Sequence, residues 1–186
     1  MLEIEVKIKV DKEKIKNDLI NLGFIKESHI YEHDSYFNGD NCNLKNEDKA
    51  LRIREHIDLK SKETIYQLNY KGPKIDSISM TRQEVEFTVP SFEQGEAFLN
   101  GIGYHVAGEV EKTRYYYKKD DITCCLDTVT SLGDFLEIEI IATEDKYDDS
   151  MTRINSLLNQ LSLSMDDSIN TSYLSMLSKN ISNKVR

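Results

Sequence analysis

The chain has 186 residues, 31% of them charged, with a formal net charge of -9. That acidic balance argues against a general nucleic-acid binder, but it leaves room for a local basic pocket suited to a small anion. Three cysteines with no Cys-x-x-Cys spacing, and no leader-like or membrane-length apolar run, lead us to expect a cytoplasmic protein with reduced thiols and no membrane partner. The length suits one domain, expected over 1–179 with a tail at 180–186.

Residues 2–10 alternate strictly. Leu2, Ile4, Val6, Ile8 and Val10 share one side, and Glu3, Glu5, Lys7 and Lys9 the other, which is the pattern of a strand. Residues 12–22 change to helical spacing, with Asp11 as cap and Gly23 as stop. A strand is expected at 29–37 and a polar loop at 38–48. Three strands follow at 49–57, 64–71 and 80–89, separated by turns at 58–63 and 72–79. Ser91 opens a second helix over 91–100, ended by Gly101 and Gly103. A hairpin pair at 109–117 and 121–128, a strand at 135–142 and helices at 150–161 and 167–179 complete the chain. The order strand, helix, Gly-aromatic, Tyr-aromatic occurs twice at an offset of 80 or 81 positions (Gly23 and Gly103, Tyr36 and Tyr116), so two similar halves are expected to share one sheet system.

The polar faces of these strands carry like-signed pairs two residues apart: Glu3 and Glu5, Arg52 and Arg54, Glu84 and Glu86, Lys112 and Arg114, Glu137 and Glu139. A sheet wet on that side would be the bland account. Crowded like charges are unfavourable unless opposite charges lie close by, and a closed barrel with an inward polar face would supply them. Carboxylates are hard ligands for Mg²⁺ or Mn²⁺, whereas Arg and Lys grip phosphate oxygens. Both in one cavity suit a metal–polyphosphate complex.

Eight segments in order carry a family resemblance: Glu3-x-Glu5-x-Lys7, LRIRE at 51–55, YKGP at 70–73, RQEVEF at 82–87, EKTR at 111–114, LDTV at 126–129, LGDFLEIEI at 132–140 and SYLSML at 172–177. Together they resemble the CYTH superfamily, the triphosphate tunnel metalloenzymes. The resemblance implies an α+β fold, an antiparallel eight-stranded closed tunnel-like barrel with flanking helices. It implies Mg²⁺ or Mn²⁺ at the acidic pairs Glu3, Glu5 and Glu137, Glu139. Lys7, Arg52, Arg54, Lys71, Lys112 and Arg114 would bind the triphosphate, and Glu84, Glu86 and Asp127 would be further tunnel acids. The segments are most similar to the class IV adenylate cyclase group, which implies conversion of ATP to cyclic AMP and pyrophosphate. The alternatives are a triphosphatase acting on inorganic or thiamine triphosphate, and a binding module without turnover. A homodimer is open on the same reading. The four histidines and Cys124 and Cys125 are expected to be bystanders. The Tyr115–Tyr117 run is read first as barrel wall, and Tyr173, with Leu157 and Leu161, as core or subunit interface.

Overall fold

A computed structural model describes residues 2–75 and 81–184. Eight antiparallel strands close into one barrel in the order β1-β5-β4-β3-β2-β6-β7-β8. They are β1 (Leu2–Lys9), β2 (Ile25–Gly39), β3 (Ala50–Asp58), β4 (Thr64–Lys74), β5 (Arg82–Val89), β6 (Tyr104–Lys119), β7 (Ile122–Val129) and β8 (Gly133–Ala142). The helices are α1 (Lys12–Asn21), α2 (Phe92–Gly101), α3 (Tyr147–Gln160) and α4 (Tyr173–Lys184).

The doubled pattern is visible in the fold. Each half runs strand, helix, then three strands; β1 of the first half stands between β5 and β8 of the second, β5 between β1 and β4 of the first, and β2 neighbours β6. Helices α1 and α2 are capped alike. The Asp11 side chain accepts from the Lys14 N–H at 3.0 Å, and Ser91 accepts from Gln94 N–H at 3.3 Å. Both are followed by a left-handed glycine, Gly23 at φ 86 and Gly103 at φ 85. A side chain at either position is strained, so Gly103→Ala should lower unfolding free energy by about 1–2 kcal/mol. Chemical denaturation checks this, and an unchanged midpoint would contradict it.

The apolar faces of the strands point outward and are buried by helices. Ile4, Val6, Ile8, Leu126, Leu136, Ile138 and Ile140 pack with Ile15 and Leu19 of α1 and Ile154 and Leu158 of α3. Each such burial is worth about 1.5–3 kcal/mol, so this side of the barrel carries the main core. Helix α2 covers the other side, over Phe37, Ile53 and Leu68. It approaches closely because Gly95 faces Ile53, where a Cβ would stand 2.9 Å from the Ile53 methyl.

Several elements differ from the pattern-based expectation. Strands β2 and β6 extend well past 29–37 and 109–117, because in a barrel their polar ends pair with each other over fourteen register positions from Ile25 to Gly39. Strand β4 runs on through Gly72 and Pro73 to Lys74, with an irregular register between Lys71 and Lys74. Met80 and residues 76–79 of the expected strand and turn lie outside the described residues. The last helix begins at Tyr173, not 167, because Ser172 caps it and a short 3-10 turn capped by Ser164 occupies Met165–Asp167. Among the described residues, β1 and β5 meet in register at Glu3 and Arg82. Val85 and Phe87 of β5 are 54% and 55% exposed.

Candidate functional site

The inward faces of the strands line a bore of charged side chains, most of them buried. Asp127 of β7 is fully buried and gathers the bases of β6. Its Oδ1 accepts from Arg114 Nε at 2.6 Å, and its Oδ2 from Arg114 at 2.7 Å and Lys112 Nζ at 3.0 Å. A fourth donor comes from outside the barrel strands: the Tyr173 hydroxyl of α4 reaches the same Oδ2 at 3.0 Å. On β2, at the other edge of β6, Asp34 accepts from Arg54 at 2.6 and 2.8 Å and from Arg52 at 3.2 Å. Glu32 holds Arg54 at 2.8 Å and Lys112 at 3.1 Å.

Glu32 and Asp34 were not among the residues singled out from sequence. Their signal was nonetheless present, because Glu32-x-Asp34 in HIYEHDSYF has the same two-residue spacing as the other pairs. Burial alone would raise both carboxyls. The cations outweigh it, bringing Glu32 down to about 2 through Arg54 and Lys112, and lowering Asp34 through Arg52 and Arg54.

The four carboxylates expected to hold metal divide into two kinds. Glu3, Glu5 and Glu139 each present an oxygen within 4.8 Å of the others. Burial, then repulsion from Glu137, pushes Glu5 up to about 7 against the pull of Lys7 and Lys71. Burial raises Glu3 and Glu139 as well, with Lys71 opposing at Glu3 and Arg114 at Glu139. Glu137 behaves in the opposite way. Arg114 and Lys7 outweigh its burial and hold it well below the usual range; Lys7 Nζ lies 3.3 Å away, and Arg114 is hydrogen-bonded to it. Thus Glu137 is committed to bases, while the other three are poor at carrying their charge alone.

Lys71 faces the bore. It bonds Glu84 and sits 3.8 Å from Glu3. Glu84 is brought down to about 2, Lys71 overcoming its burial. Glu86 does not join the cavity wall. It is exposed on the open side of β5 and accepts from Gln67 Nε2 at 2.8 Å. The adjacent cysteines separate as alternation requires: Cys124 packs in the outer core, and Cys125 lies 3.5 Å from Glu139. The tyrosine run also splits. Tyr115 stacks on His29 outside at 3.9 Å, Tyr117 is core, and Tyr116 lies 5.5 Å from the Arg114 guanidinium. Tyr173 is buried, as expected of a core residue. It is polar in use, however, lying edge-on to Phe135 at 5.1 Å, with Lys7 Nζ 4.4 Å from its ring centre.

One cavity of about 950 Å³ joins these groups. Glu3, Glu5, Glu137 and Glu139 line it together with Lys7, Arg52, Arg54, Lys71, Lys112 and Arg114. Arg82 lines it too, and its guanidinium donates to the Gly72 carbonyl at 3.2 Å. Three clustered carboxylates of raised proton affinity fit a divalent cation, since hard oxygen donors suit it and its charge relieves their repulsion. The neighbouring bases are each held by carboxylates, and phosphate oxygens can take over those hydrogen bonds.

A closed barrel whose bore combines an acidic cluster with buried bases has groups that fit a divalent cation beside a polyanion. The chain belongs to the CYTH family, whose model (CYTH domain) matches residues 1–173; this superfamily of triphosphate tunnel metalloenzymes includes both adenylate cyclases and triphosphatases. A candidate adenylate cyclase of Methanocaldococcus jannaschii is 35% identical over 178 residues, 95% of this chain and 98% of that protein. The solved PH1819 protein of Pyrococcus horikoshii OT3 superposes with a TM-score of 0.86 at 28% identity, covering 96% of this chain and 99% of that one. The same barrel occurs in a Hippeastrum protein described as an adenylyl cyclase candidate with a dominant triphosphatase activity (TM-score 0.68, 16% identity, 96% and 95% covered). Among the described residues, no helix is long and apolar enough to cross a membrane.

Proposed function

We propose that this chain is a metal-dependent enzyme of the class IV adenylate cyclase type, converting ATP to cyclic AMP and pyrophosphate. The observation that carries this reading is the shared cavity. It places the Glu3, Glu5 and Glu139 cluster beside six bases, and its volume of about 950 Å³ is the size of an organic-ligand site. Glu3, Glu5 and Glu139 would hold Mg²⁺ or Mn²⁺, which supplies charge neutralisation at the phosphate when bound. Lys7, Arg52, Arg54, Lys112 and Arg114 would bind phosphate oxygens, and Lys71 would bridge from Glu84 toward the metal side.

In the reaction the ribose 3'-oxygen bonds to the α-phosphorus and the α–β bridging bond breaks. Pyrophosphate carries away the bond's electrons, and the hydroxyl proton passes to a phosphate oxygen or water. The buried bases stabilise the charge growing on pyrophosphate, and they are already ordered by Asp127, Asp34 and Glu32.

A hydrolase needs the same residue types, with water directed at the terminal phosphate. The cyclase name and triphosphatase activity joined in the Hippeastrum protein make that the second reading. Purified protein is assayed with Mg²⁺ or Mn²⁺ on ATP, inorganic triphosphate and thiamine triphosphate, resolving cyclic AMP, pyrophosphate and orthophosphate. Cyclic AMP from ATP is expected. Orthophosphate without cyclic AMP replaces the cyclase with the hydrolase, and tight binding without turnover replaces both with a binding module.

A further inference from the structure

The family match ends at Tyr173, yet the cavity wall continues into α4. Thr171, Ser172, Ser175, Ser178 and Lys179 line the cavity, and from the cap Ser172 onward they recur at three- and four-residue spacing, on one helical face. Met176 and Leu177 pack instead with the cluster of Val110, Val129, Phe135 and Tyr173. By strand parity those three barrel residues share faces with Lys112, Asp127 and Glu137, so α4 is seated on the inner wall itself. Gly108 of β6 permits this approach: a Cβ there would stand 2.7 Å from the Leu174 Cδ1 methyl.

The cavity therefore has two chemistries. Its inner part is ionic. Its α4 side is hydroxyl-rich, with Asn38 from the end of β2, Asn43 from the β2–β3 connection, the apolar Leu51 and Ala107, and the charged Lys45, Asp48, Lys49 and Lys179. A bare triphosphate needs only the ionic part. It is smaller than the organic ligands that fill cavities of about 300–1,000 Å³. Hydroxyls and amides beside small apolar patches match a sugar joined to a flat base.

We propose that the serine face of α4, with the Asn38–Asn43 side of the mouth, is the recognition wall for the nucleoside of a nucleoside triphosphate. The sugar hydroxyls meet Thr171, Ser172, Ser175 and Ser178, and the triphosphate points inward. The inference rests on the tunnel being a triphosphate site, and its test separates the two claims.

Calorimetry with Mg²⁺ compares two cleavage-resistant probes, the bis-methylene analogue of ATP and the matching bis-methylene triphosphate. The wild type should bind the nucleotide analogue at least about tenfold tighter, the worth of one or two hydrogen bonds. Ser175→Leu should erase that preference and leave the bare analogue's affinity within about twofold, since no phosphate contact is removed. Equal wild-type affinities, or a preference that survives Ser175→Leu, overturns the nucleoside wall while the triphosphate site stands. Binding of neither probe overturns the triphosphate site and the wall with it. If Ser175→Leu does not fold, hydrogen exchange on the wild type decides. Extra protection of amides 171–179 by the nucleotide analogue over the bare one supports the wall, and equal protection overturns it.

Discussion

Replacing Glu5 by Gln should cut metal-dependent turnover by about 10²–10³-fold, the scale of losing one preorganised electrostatic group, and at the same time stabilise the metal-free protein above neutral pH. Both effects have one cause. Burial and Glu137 hold the folded Glu5 carboxyl at about 7, against a usual value of 4.5. Between those values the folded chain keeps a proton that the unfolded chain has released. The stability tied to that proton is whole below pH 4.5 and is lost as pH rises through 7, about 3 kcal/mol in all. Glu3 and Glu139 are raised in the same direction and add to the slope. A glutamine cannot ionise, so the variant loses Glu5's share of the fall. Melting in chelator from pH 5 to 8 should therefore show a decline for the wild type and a flatter curve for Glu5→Gln. A divalent ion should restore the wild type most at pH 8, where it competes with the fewest protons. A wild-type curve that does not decline, or a Glu5→Gln enzyme with intact metal-dependent turnover, would sink the assignment of this cluster to metal.

The second large effect is expected at Asp127. It is fully buried and accepts from Arg114, Lys112 and Tyr173 together. Asp127→Ala leaves two cations without their shared partner and removes the acceptor of the Tyr173 hydroxyl of α4. Removing one side of a buried ion pair typically costs about 3–5 kcal/mol, so a fall in melting temperature on the order of 10 °C is expected. The loss is electrostatic, and an added polyanion should replace part of it. Inorganic triphosphate should raise the melting temperature of Asp127→Ala by more than it raises that of the wild type. A loss of under about 1 kcal/mol would mean that neighbouring carboxylates already satisfy Lys112 and Arg114, and that Asp127 does not organise them.

Much of this was legible along the chain because strand alternation has a period of two. MLEIEVKIKV sorts its own side chains into an apolar and a charged set, and the same rule places Arg52 with Arg54 and Glu137 with Glu139. The repeated halves were likewise readable from Gly23 and Gly103, because the left-handed turn after each helix demands glycine. Alternation says nothing about which strand faces which. It therefore missed that Glu32 stands beside Lys112 and Asp34 beside Arg54 on neighbouring strands. Nor could it show that Glu86 stands outside the cavity wall or that Phe87 is exposed.

Local periodicity, caps and like-signed pairs thus determined the elements and the charged strand faces, because each depends only on neighbours along the chain. The division of labour among the carboxylates came only with closure of the barrel. Whether a carboxyl sits beside Arg114, as Glu137 does, or beside two other acids, as Glu5 does, depends on strand register and burial. Tyr173 makes the same point: its spacing marks it as core, and only the docking of α4 brings its hydroxyl to Asp127, 46 positions away in the chain.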